Sequence, residues 1–224
     1  MRYLGLALHR EGPTDRRFLE PLIRRALLRL LAKHCSTAVD VAEQFVDLAA
    51  SRELEDVANR IVETAAALGL VFVHADGGND PERVRTARFD PIVDQIRGCD
   101  GEQTSTLVAV VPVRETEACL LADPDAARSA FGTTLSVHEL GLPAHAGGVE
   151  HVPDPKATLA EAFQRAVGLR RRRHVSRGSQ SFLALLGDQV ALFRLDDVPA
   201  FRRFEEDLMT ALQRLMPYAF HRGA

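Results

Sequence analysis

The chain has 224 residues, 46% of them apolar and 26% charged, with a formal net charge of −3. That length supports one large domain or a core with an extension, and the near-balanced charge excludes a global field that would draw the protein onto nucleic acid. No apolar stretch approaches the roughly 20 residues that a bilayer span requires, which excludes a membrane partner.

Met1-Arg2-Tyr3-Leu4 enters a short apolar run without a long hydrophobic region or a small-residue cleavage site, so no signal peptide is expected and the protein is read as cytoplasmic. Cys35, Cys99 and Cys119 are odd in number, widely spaced and without C-x-x-C, which fits a reducing compartment rather than a disulfide framework or a structural zinc. Of the 28 basic residues only Lys33 and Lys156 are lysine. A lysine against an arginine background is informative, because the compact ammonium can sit beside a phosphate or shift its pKa.

In chain order, Tyr3 to His9 reads as a buried strand, and Glu11-Gly12-Pro13-Thr14 as a turn that ends on Thr14 as an N-cap. A helix follows to about Lys33. Residues 36–48 are ambiguous, with a strand one reading, and 51–68 read as an amphipathic helix closed by Gly69. Leu70 to Ala75 is a continuous β-rich apolar run, the mark of a strand buried on both faces, and it ends in Asp76-Gly77-Gly78-Asn79-Asp80. Pro81 opens a helix expected to reach about Arg97. Thr106 to Val113 is a third strand, with helices expected at about 115–122 and from Asp123-Pro124 onward. Residues 131–154 read as an irregular loop, followed by helices near 155–168, 178–187 and 198–216. Strands alternating with helices predict an α/β fold with a mostly parallel sheet flanked by helices. The expected division is a core over 1–135 and a loop plus helical extension over 136–224, packed on that core.

In open α/β sheets ligands bind beyond the carboxyl ends of the strands, and all three strand ends supply acids: Glu11, then Asp76 and Asp80, then Glu115 and Glu117. Converging carboxylates repel unless a cation or proton lies between them, and hard oxygen ligands suit Mg²⁺ or Mn²⁺. Each acid also has a structural reading. Asp80 would cap the Pro81 helix, Asp15 would favour the first turn of its helix through the dipole, and Asp123 before Pro124 reads as an N-cap. On a helix starting at Glu115, Glu115 and Glu117 would point in different directions, so at most one would reach a shared metal. His138, His145 and His151 have no metal-ligand spacing, and His9 and His74 read as core or supporting groups. Neither G-x-S-x-G nor a P-loop signature occurs.

Glu11-Gly12-Pro13-Thr14-Asp15 after an N-terminal strand resembles the E-G-x-T-[DE] opening of TOPRIM domains, the metal-binding fold of topoisomerases, primases and overcoming-lysogenization-defect nucleases. Residues 111–123, Val-Pro-Val-Arg-Glu-Thr-Glu-Ala-Cys-Leu-Leu-Ala-Asp, with Asp154-Pro155-Lys156, resemble a bacterial family of unknown function in that group, whose members often lie beside an ATPase gene in phage-defence loci. The resemblance implies a Mg²⁺-dependent nuclease with an ATPase partner, Glu11 as acid/base or metal ligand, and Asp76 and Asp80 as metal ligands. Glu117 joins them as a metal candidate, and Lys156 as a catalytic contact to phosphate. The sequence departs from the usual D-x-D, with Gly78 at the second acid's place, and carries Cys119 where an aromatic residue is expected.

Arg170, Arg171, Arg172 and Arg173 form the one dense basic run, which is either a solvated helix end or a DNA- or RNA-backbone contact; its aromatic company is only Phe182, so base stacking is not indicated. A non-catalytic nucleotide- or partner-binding subunit and a small-molecule phosphohydrolase remain open beside the nuclease reading, as does a homodimer.

Overall fold

The computed structural model describes residues 2–12, 15–48, 53–64, 69–98, 106–168 and 181–220. Thr14, Cys99 and the run Arg170 to Arg173 lie outside the described residues. Four strands, β1 (Arg2–His9), β2 (Val39–Asp47), β3 (Leu70–His74) and β4 (Thr106–Val110), form one sheet in the order β2-β1-β3-β4. Every neighbouring pair is parallel, so all four carboxyl ends lie on one edge. The ambiguous segment 36–48 is therefore a strand, bulged where the register passes from Leu4↔Val41 to Leu6↔Phe45.

Side chains alternate across a pleated strand, and both faces of this sheet are covered. Leu4, Leu6 and Leu8 of β1 and Leu70 and Phe72 of β3 point into the larger core, against α1 (Asp15–His34), α9 (Ser181–Gln189) and α11 (Pro199–Leu215). Ala7, Val71 and Val73 point the other way, onto α2 (Leu54–Thr64) and α4 (Asp90–Gly98) through Val57, Ala58, Ile61 and Ile92. In the larger core the Phe72 ring lies 5.9 Å from Phe45 and 6.3 Å from Phe204. The C-terminal helices therefore belong to the same apolar core as the sheet. Gly187 lets α9 approach α1: a Cβ there would stand 2.6 Å from the Phe18 carbonyl oxygen.

Several expected boundaries move. The helix opened by Pro81 is two, α3 (Pro81–Arg88) and α4, broken at Phe89. The cause is Asp90-Pro91: a proline supplies no N–H to the preceding turn and disfavours helical geometry in the residue before it. The third strand stops at Val110 rather than Val113, although Ala75 and Gly77 go on pairing with the Val110 and Pro112 oxygens beyond it. The next helix, α5 (Glu117–Leu121), begins two residues later than expected. Asp123 does cap α6 (Pro124–Phe131), accepting from Ala126 N–H at 3.1 Å, and its other oxygen accepts from Ala191 N–H at 2.8 Å. The expected irregular loop over 131–154 carries α7 (Val137–Leu140), closed by a Ser136/Glu139 capping box, and a 3₁₀ turn over Ala146–His151. The helix expected at 155–168 is α8 (Pro155–Val167), and a further single turn, α10 (Leu192–Leu195), stands before α11.

Candidate functional site

The strand order reverses direction at β1, which has β2 on one side and β3 on the other. That switch point opens a crevice between the loops leaving β1 and β3, where doubly wound sheets bind their ligands. Glu11 leaves β1 there and Asp76 leaves β3, and the Asp76 N–H donates to Glu11 Oε2 at 3.3 Å. Asp15, at the start of α1, turns back so that its Oδ2 accepts the Gly12 N–H at 2.7 Å. The same Oδ2 lies 3.6 Å from Nδ1 of His74.

The loop after β4 is pinned against the loop after β3. Ala75 N–H reaches the Val110 oxygen at 3.2 Å and Gly77 N–H the Pro112 oxygen at 2.9 Å, so pairing continues past the ends of both strands. A Cβ on Gly77 would collide with that Pro112 oxygen, which is why only glycine fits. This pairing brings Glu115 and Glu117 to the acids of β1 and β3.

The electrostatic result is a crowd of like charge. The Asp76 carboxyl is pushed up to about 7, first by burial and then by Asp15, Glu11, Glu117 and Glu115, although its side chain keeps 44% of its surface exposed. Burial also raises Glu117, against the pull of the nearby Lys156 ammonium. Glu115 Oε2 is buried with no hydrogen-bond partner. Under this layer His74 is fully buried, its Nε2 3.1 Å from the Thr116 hydroxyl and 3.6 Å from Asp76 Oδ1. Burial drives its pKa down to about 4, partly opposed by Glu11, so the ring is neutral near pH 7.

Of the acids chosen from the sequence, Glu11, Asp76 and Glu117 therefore converge. Asp80 spends its carboxylate on α3, where Oδ1 accepts the Arg83 N–H at 3.0 Å, the capping role that its place before Pro81 offers. Glu115 precedes α5 and Glu117 opens it, so helical spacing does not relate the two, and the charges of both help raise the Asp76 carboxyl. Asp15 also belongs to the cluster, in addition to its place in the first turn of α1. The signal for it lies in the fifth position of E-G-P-T-D, where the dipole account alone suffices. Cys119 is buried beside the core with its thiol pushed up to about 12 by desolvation, which leaves it a packing residue rather than a nucleophile.

Beside the acids an open cleft of about 360 Å³ runs between Asp76, Asn79, Arg114, Glu115 and Asp154. The carboxylates are hard oxygen donors of the kind that hold Mg²⁺ or Mn²⁺. Among the described residues, however, no three His, Cys, Asp or Glu side chains stand in an arrangement that closes on one ion, so the donor chemistry fits a cation and the side chains must turn to take it. Among the described residues no helix is long and apolar enough to cross a membrane.

Fold and site thus define a parallel α/β protein with an acidic cluster at its topological switch point. Set against protein-family models, curated proteins and solved structures, the chain matches none.

Proposed function

We propose that the protein is a nuclease of the TOPRIM type that hydrolyses nucleic-acid phosphodiesters with a divalent cation held by Glu11, Asp76 and Glu117. The observation that carries this reading is the gathering of Glu11, Asp15, Glu115 and Glu117 around Asp76, whose carboxyl burial first and then these charges push up to about 7. Such an arrangement is costly for a fold to maintain unless a cation relieves it. When bound, Mg²⁺ or Mn²⁺ would lower the pKa of a water and neutralise charge on a phosphate.

The chain's own residues would do the rest. Glu11, anchored by the Asp76 N–H, is placed to take a proton from a water. Lys156, in the first turn of α8 and close enough to bias Glu117, offers an ammonium to a phosphate oxygen. Neutral His74 supports Asp15 and Asp76 from below without adding charge. In this reading the protein acts in the cytoplasm within a defence-type system, and an ATPase partner supplies energy-dependent control.

The test is cleavage of single-stranded and duplex DNA and RNA with Mg²⁺ or Mn²⁺, comparing wild type with Glu11→Gln purified in parallel, with and without the candidate ATPase. Glu11→Gln retains an oxygen to accept the Asp76 N–H and should keep the fold while lowering cleavage by about 10²-fold or more. Equal cleavage by both proteins removes Glu11 from the chemistry. No cleavage by either, with a partner complex that Glu11→Gln disrupts, makes the chain a binding subunit.

A further inference from the structure

Arg114 is the one described residue other than glycine with a positive φ, 62°. Side chains with a Cβ are strained in that region, and such strain gathers at functional sites. The conformation is imposed by an isolated antiparallel bridge to Gly78, itself at φ 55°. Arg114 N–H donates to the Gly78 oxygen at 2.8 Å, and Gly78 N–H to the Arg114 oxygen at 3.2 Å. That bridge uses backbone atoms alone, so glycine or asparagine would make it with less strain. The presence of arginine calls for a reason in its side chain.

Arg114 lines the cleft together with Asp76, Glu115 and Asp154. It pairs with none of them: its one hydrogen bond runs from Nη1 to the neutral Pro153 carbonyl oxygen at 3.1 Å, and Nε is buried without a partner. Asp154 is committed elsewhere, its Oδ1 accepting the Ala157 N–H at 2.7 Å to cap α8. Arg114 is the one cation among the described residues that line the cleft; with Nη1 on Pro153 and Nε buried, its Nη2 is left to donate to an incoming oxyanion, which the guanidinium must hold against the three carboxylates. At about 360 Å³ the cleft falls at the small end of the roughly 300–1,000 Å³ typical of small-ligand sites, a size that suits one nucleotide unit. None of the described residues lining it is aromatic, so among them nothing would hold a base by stacking and the phosphate would carry the affinity.

We propose that Arg114 binds the phosphate of a single nucleotide unit seated in the cleft between the Asp76 loop and the start of α8. The proposal rests on the nuclease reading only for what happens next to this phosphate; the binding itself does not require hydrolysis. The ligand is a phosphate monoester, either a free mononucleotide or the phosphorylated end of a strand.

Calorimetric titration of wild type, Arg114→Asn, Arg114→Gly and Arg114→Lys, each with and without Mg²⁺, tests it with inorganic phosphate, adenosine 5′-monophosphate and a hexanucleotide with or without a 5′-phosphate. Asparagine and glycine relieve the backbone, so their thermal midpoints should match or exceed wild type, while phosphate and mononucleotide affinity falls about tenfold or more. Lysine should restore part of that loss. Equal affinities for the mononucleotide and the 5′-phosphorylated strand identify free nucleotide as the ligand, and tighter binding of the strand identifies its end. Unchanged phosphate affinity in the asparagine and glycine variants overturns the proposal. So does a weakened affinity that follows a fall in thermal midpoint, which would make Arg114 a tether to Pro153. Arg114-dependent phosphate binding in a protein that cleaves nothing supports the subsite and removes only the nuclease reading. Cleavage that persists with phosphate affinity indifferent to Arg114 does the reverse.

Discussion

Asp76 and Glu11 meet through a backbone hydrogen bond, the Asp76 N–H donating to Glu11 Oε2 at 3.3 Å, so two carboxylates are held together by a bond that satisfies only one of them. Among the described acids the Asp76 carboxyl is lifted most, by burial first and then by Asp15, Glu11, Glu117 and Glu115.

This gives a signed pH dependence. Asp76 titrates near 3.8 when unfolded and about 7 when folded, so between those values the folded state alone keeps the proton and stability falls as pH rises. His74 has the opposite sense: its folded pKa of about 4 lies below the unfolded 6.5, so it costs stability as pH falls through that window. Asp76→Asn should raise the thermal midpoint at ~pH 8, with the gain vanishing by ~pH 4, and should leave a stability that climbs with pH up to about 6.5. A midpoint at ~pH 8 that is unchanged or lowered by the substitution would show that the acids do not strain the fold.

Gly77 joins fold to site. The space where its Cβ would stand is closed on one side by the Pro112 carbonyl oxygen and on the other by Pro81, whose own Cβ lies 3.0 Å away. Gly77→Ala should push the β3 loop off the β4 loop, costing about 1–3 kcal/mol in chemical denaturation and separating Asp76 from Glu115 and Glu117. If the crowding is relieved in this way, the Asp76 carboxyl should move back toward the ordinary range, read as a carboxyl shift in NMR titration. A variant of wild-type stability with an unmoved Asp76 would contradict the clash.

The parts of the molecule legible in the sequence are those set by local pattern. The run Leu70 to His74 announces a strand buried on both faces because its residues must fill two cores at once, and Asp123-Pro124 and Asp154-Pro155 announce helix starts through cap and fixed φ together. What local pattern does not encode is where loops meet. Helical spacing separates Glu115 from Glu117 only if a helix begins at Glu115; the bridge of Gly78 with Arg114 joins two loops just before them, and α5 starts only at Glu117. Asp15 is hidden for a related reason, since one carboxylate serves a helix start and the acidic cluster at once, and either role alone accounts for its position in the chain. The switch point between β1 and β3 follows from strand order, which the succession of strands along the chain does not specify.

The Arg170 to Arg173 run lies outside the described residues, and its role is decided by salt. If it holds a nucleic-acid backbone, replacing all four arginines with glutamine should weaken binding and flatten the plot of log affinity against log salt by roughly 0.9 for each phosphate no longer neutralised. Fluorescence anisotropy with a labelled oligonucleotide over a salt series reads both quantities. An unchanged affinity and slope would mark the run as a solvated surface.

Asp80 is the acid whose two readings the geometry separates most cleanly, because its Oδ1 already accepts the Arg83 N–H at 3.0 Å and Pro81 follows at the first helical position. Asparagine caps helices about as well as aspartate, whereas alanine cannot cap at all. Asp80→Asn should therefore leave the thermal midpoint close to wild type, and Asp80→Ala should cost about 1 kcal/mol. If the residue only caps α3, any divalent-dependent cleavage should survive in Asp80→Asn at wild-type rate and divalent affinity should not move. Loss of cleavage or of divalent affinity in an Asp80→Asn protein of wild-type stability would place this carboxylate among the cation ligands, in the role that the TOPRIM resemblance implies for it. The two variants measured together keep the outcome clear, since a stability defect confined to alanine reports the cap and an activity defect shared with asparagine reports the charge.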